Sequence, residues 1–309
     1  MKSVTLSNQL MYASYFAPRG RNRMYALGQR LVGCYLSPLD KLIGFIGDAG
    51  AGKSSLIRGM FPGLELTNDD EGVNIRPLPI LRVGEKGFFC SHTYHVDIRF
   101  EMAFTQVHEL AEAILRALDL DKRVIVEHFD LIFPYLGRNG DVLVGVGGEI
   151  ILSRPTVFGP VPKEIGDIVT RTLRYRKMAH TAEDLTSWVL LDLYKVKAAG
   201  HRDVNHGYVL EFEEKPEVEL ERVSTEVKKL IDEDIPVCHV DECHIRIGER
   251  SWICTGPRTH VQSTGDIENF HVMPELKYDP QSKTYLLIGL VGSKNDDLDG
   301  LAALIEAAK

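Results

Sequence analysis

Eight consecutive residues, Gly47-Asp48-Ala49-Gly50-Ala51-Gly52-Lys53-Ser54, combine three glycines with a lysine and a hydroxyl, and a second hydroxyl, Ser55, follows. Glycines at this density let successive backbone N–H groups turn toward one point and wrap an anion. Lys53 adds a point charge suited to the β- and γ-phosphates of a nucleotide, and the Ser54 hydroxyl suits a magnesium ion. The run matches G-x-x-x-x-G-K-[ST] at every specified position. A glycine-rich turn without chemical consequence is the alternative. The flanks argue against it: the apolar run KLIGFIG (41–47) precedes the loop and a helical pattern, SSLIRGMF, follows it. The expectation is a nucleoside triphosphate, ATP, held with magnesium by residues 47–55.

Carboxylates decide what such a ligand is used for. Asp69 and Asp70 stand 16 and 17 positions after Lys53, at the end of LELT. A strand-end carboxylate there reaches a magnesium ion directly or through water, and a solvated acidic turn is the alternative. Glu127, closing the apolar run RVIVE, is a second candidate, to orient a water or complete the metal site. In HVDIRFE, His95 and Asp97 are candidates for a general base toward an acceptor hydroxyl. The expected catalytic residues are thus Lys53, Asp97 and Glu127, and the expected magnesium ligands Ser54, Asp69 and Asp70. The segment from GDAGAGKSS to LELTNDDEG resembles HPr kinase and the ATP-dependent phosphoenolpyruvate carboxykinases, over residues 47–72 only. In those families an Asp-Asp pair follows the phosphate loop and holds metal. No N-K-x-D or T-K-x-D guanine-reading motif and no L-S-G-G-Q sequence occurs, which argues against a GTPase and a transporter-type ATPase.

A second constellation lies far along the chain. His180 and Asp184 are four residues apart in HTAEDL, so one helix face presents both. Cys254 and His260 follow in CTGPRTHV. Four N, S and O donors from a helix pair and a loop pair suit zinc. HTAEDL resembles the H-T-A-x-H-L helix of alanyl-tRNA editing proteins. CTGPRTHVQSTGDI resembles their C-G-G-T-H-V…T-G-E-I segment and the related segment of threonyl-tRNA synthetases. The lead-in VELERVSTEVKKLIDEDIPV also resembles the helix before that family's E-D-x-P-V. The resemblance, to the second additional domain of those synthetases, covers roughly residues 178–275 with segment order preserved. It implies zinc held by His180, Cys254 and His260, with a bound water at a deacylation site. Two departures stand out. Asp184 occupies the place of the second helix histidine, and the Cys-to-His spacing is two residues longer, with Pro257-Arg258 inside. A His₂-Cys-Asp zinc site and a decayed site both remain open.

Other residues read as structural. Cys238-His239 and Cys243-His244 imitate a metal motif, but on a strand neighbouring donors point to opposite faces. His201 and His206 read as exposed loop residues, and Trp188 and Trp252 as core aromatics. Arg171, Arg174, Arg176 and Lys177 form a basic stretch suited to an acceptor stem or, more simply, to a solvated helix face.

These residues need elements to hold them. A helix is expected at 21–35, strands at 41–47 and 64–72, a strand at 95–101, and an amphipathic helix at 104–120. A strand at 123–129, a short helix, and one or two strands at 141–154 follow. A mostly parallel sheet covered on both faces is implied, hence an α/β nucleotide-binding domain over residues 1–178. Residues 163–180 continue as helix into 181–196. Beyond lie a strand at 204–216, a helix at 218–234, a strand pair at 244–256, a strand at 284–292 and a closing helix at 297–309. This second half, 179–309, reads as an α+β domain. The whole chain, 309 residues long, has room for two domains. A net charge of −8 argues against a broad grip on nucleic acid. Five cysteines without framework spacing suit a reducing, cytoplasmic setting, and no signal peptide or membrane span is expected. The resulting expectation is an ATP-binding protein acting on an aminoacyl-tRNA end or an amino acid, by ATP-linked hydrolysis or phosphotransfer. A kinase of an amino acid or nucleoside, with the second domain as specificity pocket, and a non-catalytic ATP-dependent RNA- or protein-binding switch are the alternatives. Oligomeric state is not legible.

Overall fold

A computed structural model describes residues 12–67, 78–85 and 91–292. The described chain divides into two compact units, one reaching from the N-terminal side to Tyr15 and resuming over Arg21–Arg171, the other formed by Phe16–Gly20 and Thr172 onward. The division falls seven residues before the boundary read near 178. It also assigns Phe16–Gly20 to the second unit, an excursion that no single cut along the sequence can express.

The first unit contains β1 (Tyr12–Phe16, whose last residue belongs to the second unit), α1 (Arg21–Tyr35), β2 (Leu42–Ile46), α2 (Lys53–Met60), β3 (Thr93–Asp97), α3 (Ile98–Glu101), α4 (Val107–Asp119), β4 (Arg123–Glu127), α5 (Phe129–Leu136), β5 (Val142–Val146) and β6 (Glu149–Ser153). The six strands form one mixed sheet in the order β1-β6-β5-β2-β4-β3. β2 pairs in parallel with β4 and β5, and β3 in parallel with β4, whereas β6 is antiparallel to β5. Every residue of β2 and β5 is buried, as expected of central strands covered on both faces. Leu42, Ile46, Val96, Val126, Phe129 and Ile114 are among the side chains of its core.

Two expected strands differ. Residues 64–66 form no strand, and the Thr67 N–H donates to the His95 ring rather than to a ladder partner (3.1 Å). β3 stops at Asp97 because that carboxylate accepts the Phe100 N–H (3.1 Å) and caps α3. The remainder of the 64–72 segment, with Asp69 and Asp70, lies outside the described residues, as does the closing helix expected at 297–309.

A single helix, α6 (Pro162–Tyr194), runs from the first unit into the second. The second unit continues with β7 (Gly200–Val204), β8 (Gly207–Phe212), α7 (Leu220–Asp232), β9 (Val237–His239), β10 (His244–Ile247), β11 (Arg250–Ile253), β12 (His271–Val272), β13 (Lys277–Asp279) and β14 (Thr284–Leu290). Its sheets are antiparallel: β11-β10-β9, and β12-β14-β8-β7 with β13 also on β14. The single strand read at 204–216 is instead half of a hairpin, because Asn205-His206 makes a two-residue turn with His206 at φ 52°. Met178 through Thr186 are all buried, including His180, Thr181, Glu183, Asp184 and Thr186. A helix with that many buried polar groups must find partners for them on every side.

No helix among the described residues is long and apolar enough to cross a membrane. Cys34, Cys238, Cys243 and Cys254 are free thiols.

Candidate functional site

The glycine loop joins the C-terminal end of β2 to the first turn of α2. Gly47, Gly50 and Gly52 have φ of 139°, 79° and 101°. At Gly47 a side chain is excluded twice over, by φ and because a Cβ would strike the Val146 carbonyl. The N-terminus of α2 has no side-chain cap and no acidic residue in its first turn. A helix start of that kind is suited to an anion.

Lys53 is buried and its ammonium donates to the carbonyls of Gly47 (3.1 Å) and Asp48 (3.0 Å), drawing the loop around itself. β4 directly neighbours β2, which brings Glu127 beside the loop. The Ser54 hydroxyl donates to Glu127 Oε1 (3.1 Å), and Lys53 Nζ lies 3.8 Å from Glu127 Oε2. Burial lowers the Lys53 pKa, against the opposing pull of Glu127 and Asp97. At Glu127 burial alone would raise the carboxyl, but the His95 hydrogen bond, then Lys53 and Ser54, outweigh it and the pKa is lowered. Glu127 is therefore an ionised carboxylate against a serine hydroxyl and an ammonium.

His95 lies on β3, next to β4 and Glu127. Its Nδ1 accepts the Thr67 N–H (3.1 Å), so the ring proton sits on Nε2 and points to Glu127 Oε1 (3.2 Å). With both nitrogens engaged, the ring orients Glu127 rather than serving as a base. Asp97 is buried, and its Oδ1 accepts the Phe100 N–H at the start of α3. Beside His95 opens a cavity of about 340 Å³, lined by Leu64, Thr67, Ile80, Tyr94 and Glu101 among others. That volume is at the lower end of small-molecule sites. Asp69 and Asp70 are outside the described residues.

In the second unit, three of the four donors expected for zinc converge. One ligand atom each from Asp184, Cys254 and His260 lies within 4.8 Å of the others, and all three residues are buried. Sequence reasoning missed Arg19, whose guanidinium enters among them. Its Nη2 donates to Asp184 Oδ2 (2.5 Å) and to Cys254 Sγ (3.0 Å), and stands 3.3 Å from His260 Nε2. Its Nη1 donates to Glu183 Oε2 (2.8 Å) and to the His180 carbonyl (3.3 Å).

His260 Nδ1 faces the Pro257 carbonyl (3.2 Å) and Nε2 faces Asp184 Oδ2 (2.9 Å). Two acceptors require two donors, so this ring is an imidazolium. Burial disfavours that charge, yet Asp184 and Cys254 raise its pKa to about 8. Asp184 falls to about 2, because Arg19 and His260 overcome its burial, and the Cys254 thiol is lowered by His260 and Arg19 against its own burial.

His180 stands apart from this trio. The Thr259 hydroxyl donates to Gly256 O (2.8 Å) and therefore accepts from His180 Nδ1 (2.7 Å), leaving Nε2 3.5 Å from Asp203. Burial holds the ring neutral, with a pKa of about 4. Zinc needs deprotonated donors around an open point. Here the point holds a guanidinium, the histidine carries a proton on the nitrogen that would ligate, and the expected fourth ligand faces Thr259. The residues as arranged do not fit the metal.

The remaining candidates are structural. His201 Nδ1 pairs with Glu183 Oε1 (2.5 Å), and His206 stacks on Tyr175. Trp188 and Trp252 are half-buried against the core, with Arg250 over both rings. Arg176 is buried and donates to Pro18 O (2.9 Å), so the basic stretch is not one solvated face. Asp241, Cys243 and His244 form a second, exposed group of donors. Comparison with protein-family models finds none that matches the chain, and comparison with curated proteins finds no match.

Proposed function

We propose that the first unit binds a magnesium nucleoside triphosphate, ATP, and catalyses transfer of its terminal phosphoryl group. The observation that carries this reading is the contact of Ser54 with Glu127 at the end of the strand adjoining the glycine loop (3.1 Å). A hydroxyl and an ionised carboxylate side by side at a helix N-terminus are the protein half of a magnesium–phosphate site. Ser54 and Glu127 would hold the ion, which screens charge on the phosphates. The glycine loop supplies backbone donors, and Lys53 supplies a cation already held beside them. Since little covalent chemistry falls to the protein in phosphoryl transfer, positioning and charge of this kind suffice. Asp69 and Asp70 remain candidate metal ligands by resemblance alone.

The cavity next to His95 favours a small-molecule acceptor, an amino acid or nucleoside, over simple hydrolysis. Arg19 within the second unit's donor cluster argues against zinc-dependent deacylation there, and an aminoacyl-tRNA end or an amino acid stays that unit's candidate ligand by resemblance. The sequence composition suits a cytoplasmic protein. Binding of ATP and GTP by titration calorimetry, with ADP release across a panel of amino acids, nucleosides and tRNA, tests the reading. Wild type is expected to bind ATP with magnesium, Lys53→Ala to lose that binding, and Glu127→Gln to keep nucleotide but lose turnover on the order of 100-fold. Folded wild type that binds no nucleotide at millimolar concentration overturns it.

A further inference from the structure

The cluster around Asp184 is a cation site by composition. Three residues of types that commonly share a zinc ion face one point from a helix and a loop. Burying acids together is costly unless a cation is buried with them. The chain supplies that cation itself. Arg19 comes from a short segment remote in sequence, and one nitrogen of its planar fork donates to Asp184 and Cys254 at 2.5 and 3.0 Å and lies 3.3 Å from His260 Nε2. Its other nitrogen reaches Glu183, a carboxylate 2% exposed. A fixed fork that always carries charge is well suited to span two adjacent carboxylates, where a lysine would reach only one.

The aspartate at 184 belongs to the same arrangement. A neutral histidine there would offer Arg19 no charge, whereas a carboxylate pairs with it. The Nη2 nitrogen lies among the three side chains, at the place an ion shared by them would occupy.

We propose that Arg19 is a resident cation in place of a divalent metal, and that the Asp184–Cys254–His260 cluster takes up zinc only when Arg19 is removed. This holds independently of whether the first unit binds a nucleotide. Three donors plus water would then form an open tetrahedral site.

The test is zinc content of the full chain after incubation with zinc and desalting. It is done in a Cys243→Ser background, which disables the exposed Asp241–Cys243–His244 group. The parent is expected to retain less than about a tenth of an equivalent, and Arg19→Ala or Arg19→Gln about one equivalent, lost again when Cys254→Ala is added. With cobalt(II), only the Arg19 variants should develop a thiolate-to-metal charge-transfer band. If Arg19→Ala folds only when zinc is present, that dependence supports the proposal equally. A parent that holds one zinc, released by Cys254→Ala, overturns it. So does failure of both Arg19 variants to take up zinc, whether folded or during refolding.

Discussion

Replacing His95 probes the reasoning about the loop more sharply than replacing the loop itself. In His95→Ala two partners lose a bond at once, one buried and one half-buried. Glu127, 2% exposed, loses its donor at 3.2 Å, and the Thr67 N–H loses its acceptor at 3.1 Å. A hydrogen bond to a charged group contributes about 1.5–3 kcal/mol and orphaning a half-buried N–H costs about 1 kcal/mol or less, so a loss of roughly 2–4 kcal/mol is expected. The Glu127 pKa is lowered in the fold, so its contribution is present above the ordinary carboxylate range and lost as pH falls through the lowered value. Without the His95 donor, burial is opposed only by Lys53 and Ser54, so the loss begins at higher pH. Urea denaturation as a function of pH reads both effects, and the acid limb of any ATP turnover should move the same way. The two amides separate the two bonds. His95→Gln extends to the Nε2 position and should restore the acid limb, while His95→Asn sits at the Nδ1 position and should restore part of the stability only. An alanine variant less than about 1 kcal/mol destabilised, with an unmoved acid limb, would refute the role given to His95.

Two further predictions concern buried charge. Arg154 is joined to Asp40 by two bonds, at 2.6 and 2.7 Å, with side chains 10% and 5% exposed, so Arg154→Ala leaves a buried carboxylate and should cost about 3–5 kcal/mol in denaturant unfolding. The two buried histidines of the second unit act in opposite senses. His260, raised to about 8, adds stability that is complete below pH 6.5 and lost as pH rises through 8, about 2 kcal/mol in all. His180, lowered to about 4, is neutral in the fold, so stability falls as pH drops from 6.5 toward 4, by about 3 kcal/mol. A maximum near pH 6.5 follows. His260→Asn should flatten the alkaline side and leave the acid side in place, and a variant with an unchanged alkaline slope would contradict the imidazolium assignment.

Much of the architecture was legible because local patterns and tertiary context agreed. The apolar runs at 42–46, 123–127 and 142–146 became buried strands, and the periodic run at 107–119 became a helix. Agreement failed where side chains diverted the backbone. LELT looked like a strand by composition, yet the Thr67 N–H was claimed by an imidazole. HVDIRFE looked continuous, yet Asp97 bonded its own chain three residues on and turned it into a helix. The hairpin at Asn205-His206 was obscured because the strand before the turn, GHRDV, is polar and partly exposed and shows no apolar alternation.

By itself the sequence determined the glycine loop and its lysine, because they are neighbours along the chain and need no tertiary contact to be brought together. It also singled out His180, Asp184, Cys254 and His260, whose types and spacing carry the resemblance to editing domains. Only the tertiary structure decided what these residues are paired with. Glu127 reaches Ser54 through the adjacency of β4 and β2, and His95 reaches Glu127 through the adjacency of β3 and β4. Arg19 lies 165 residues from Asp184 and 235 from Cys254. No pattern in the chain announces that pairing, since a buried charge finds its counter-charge through space, and the fold alone sets which one is within reach.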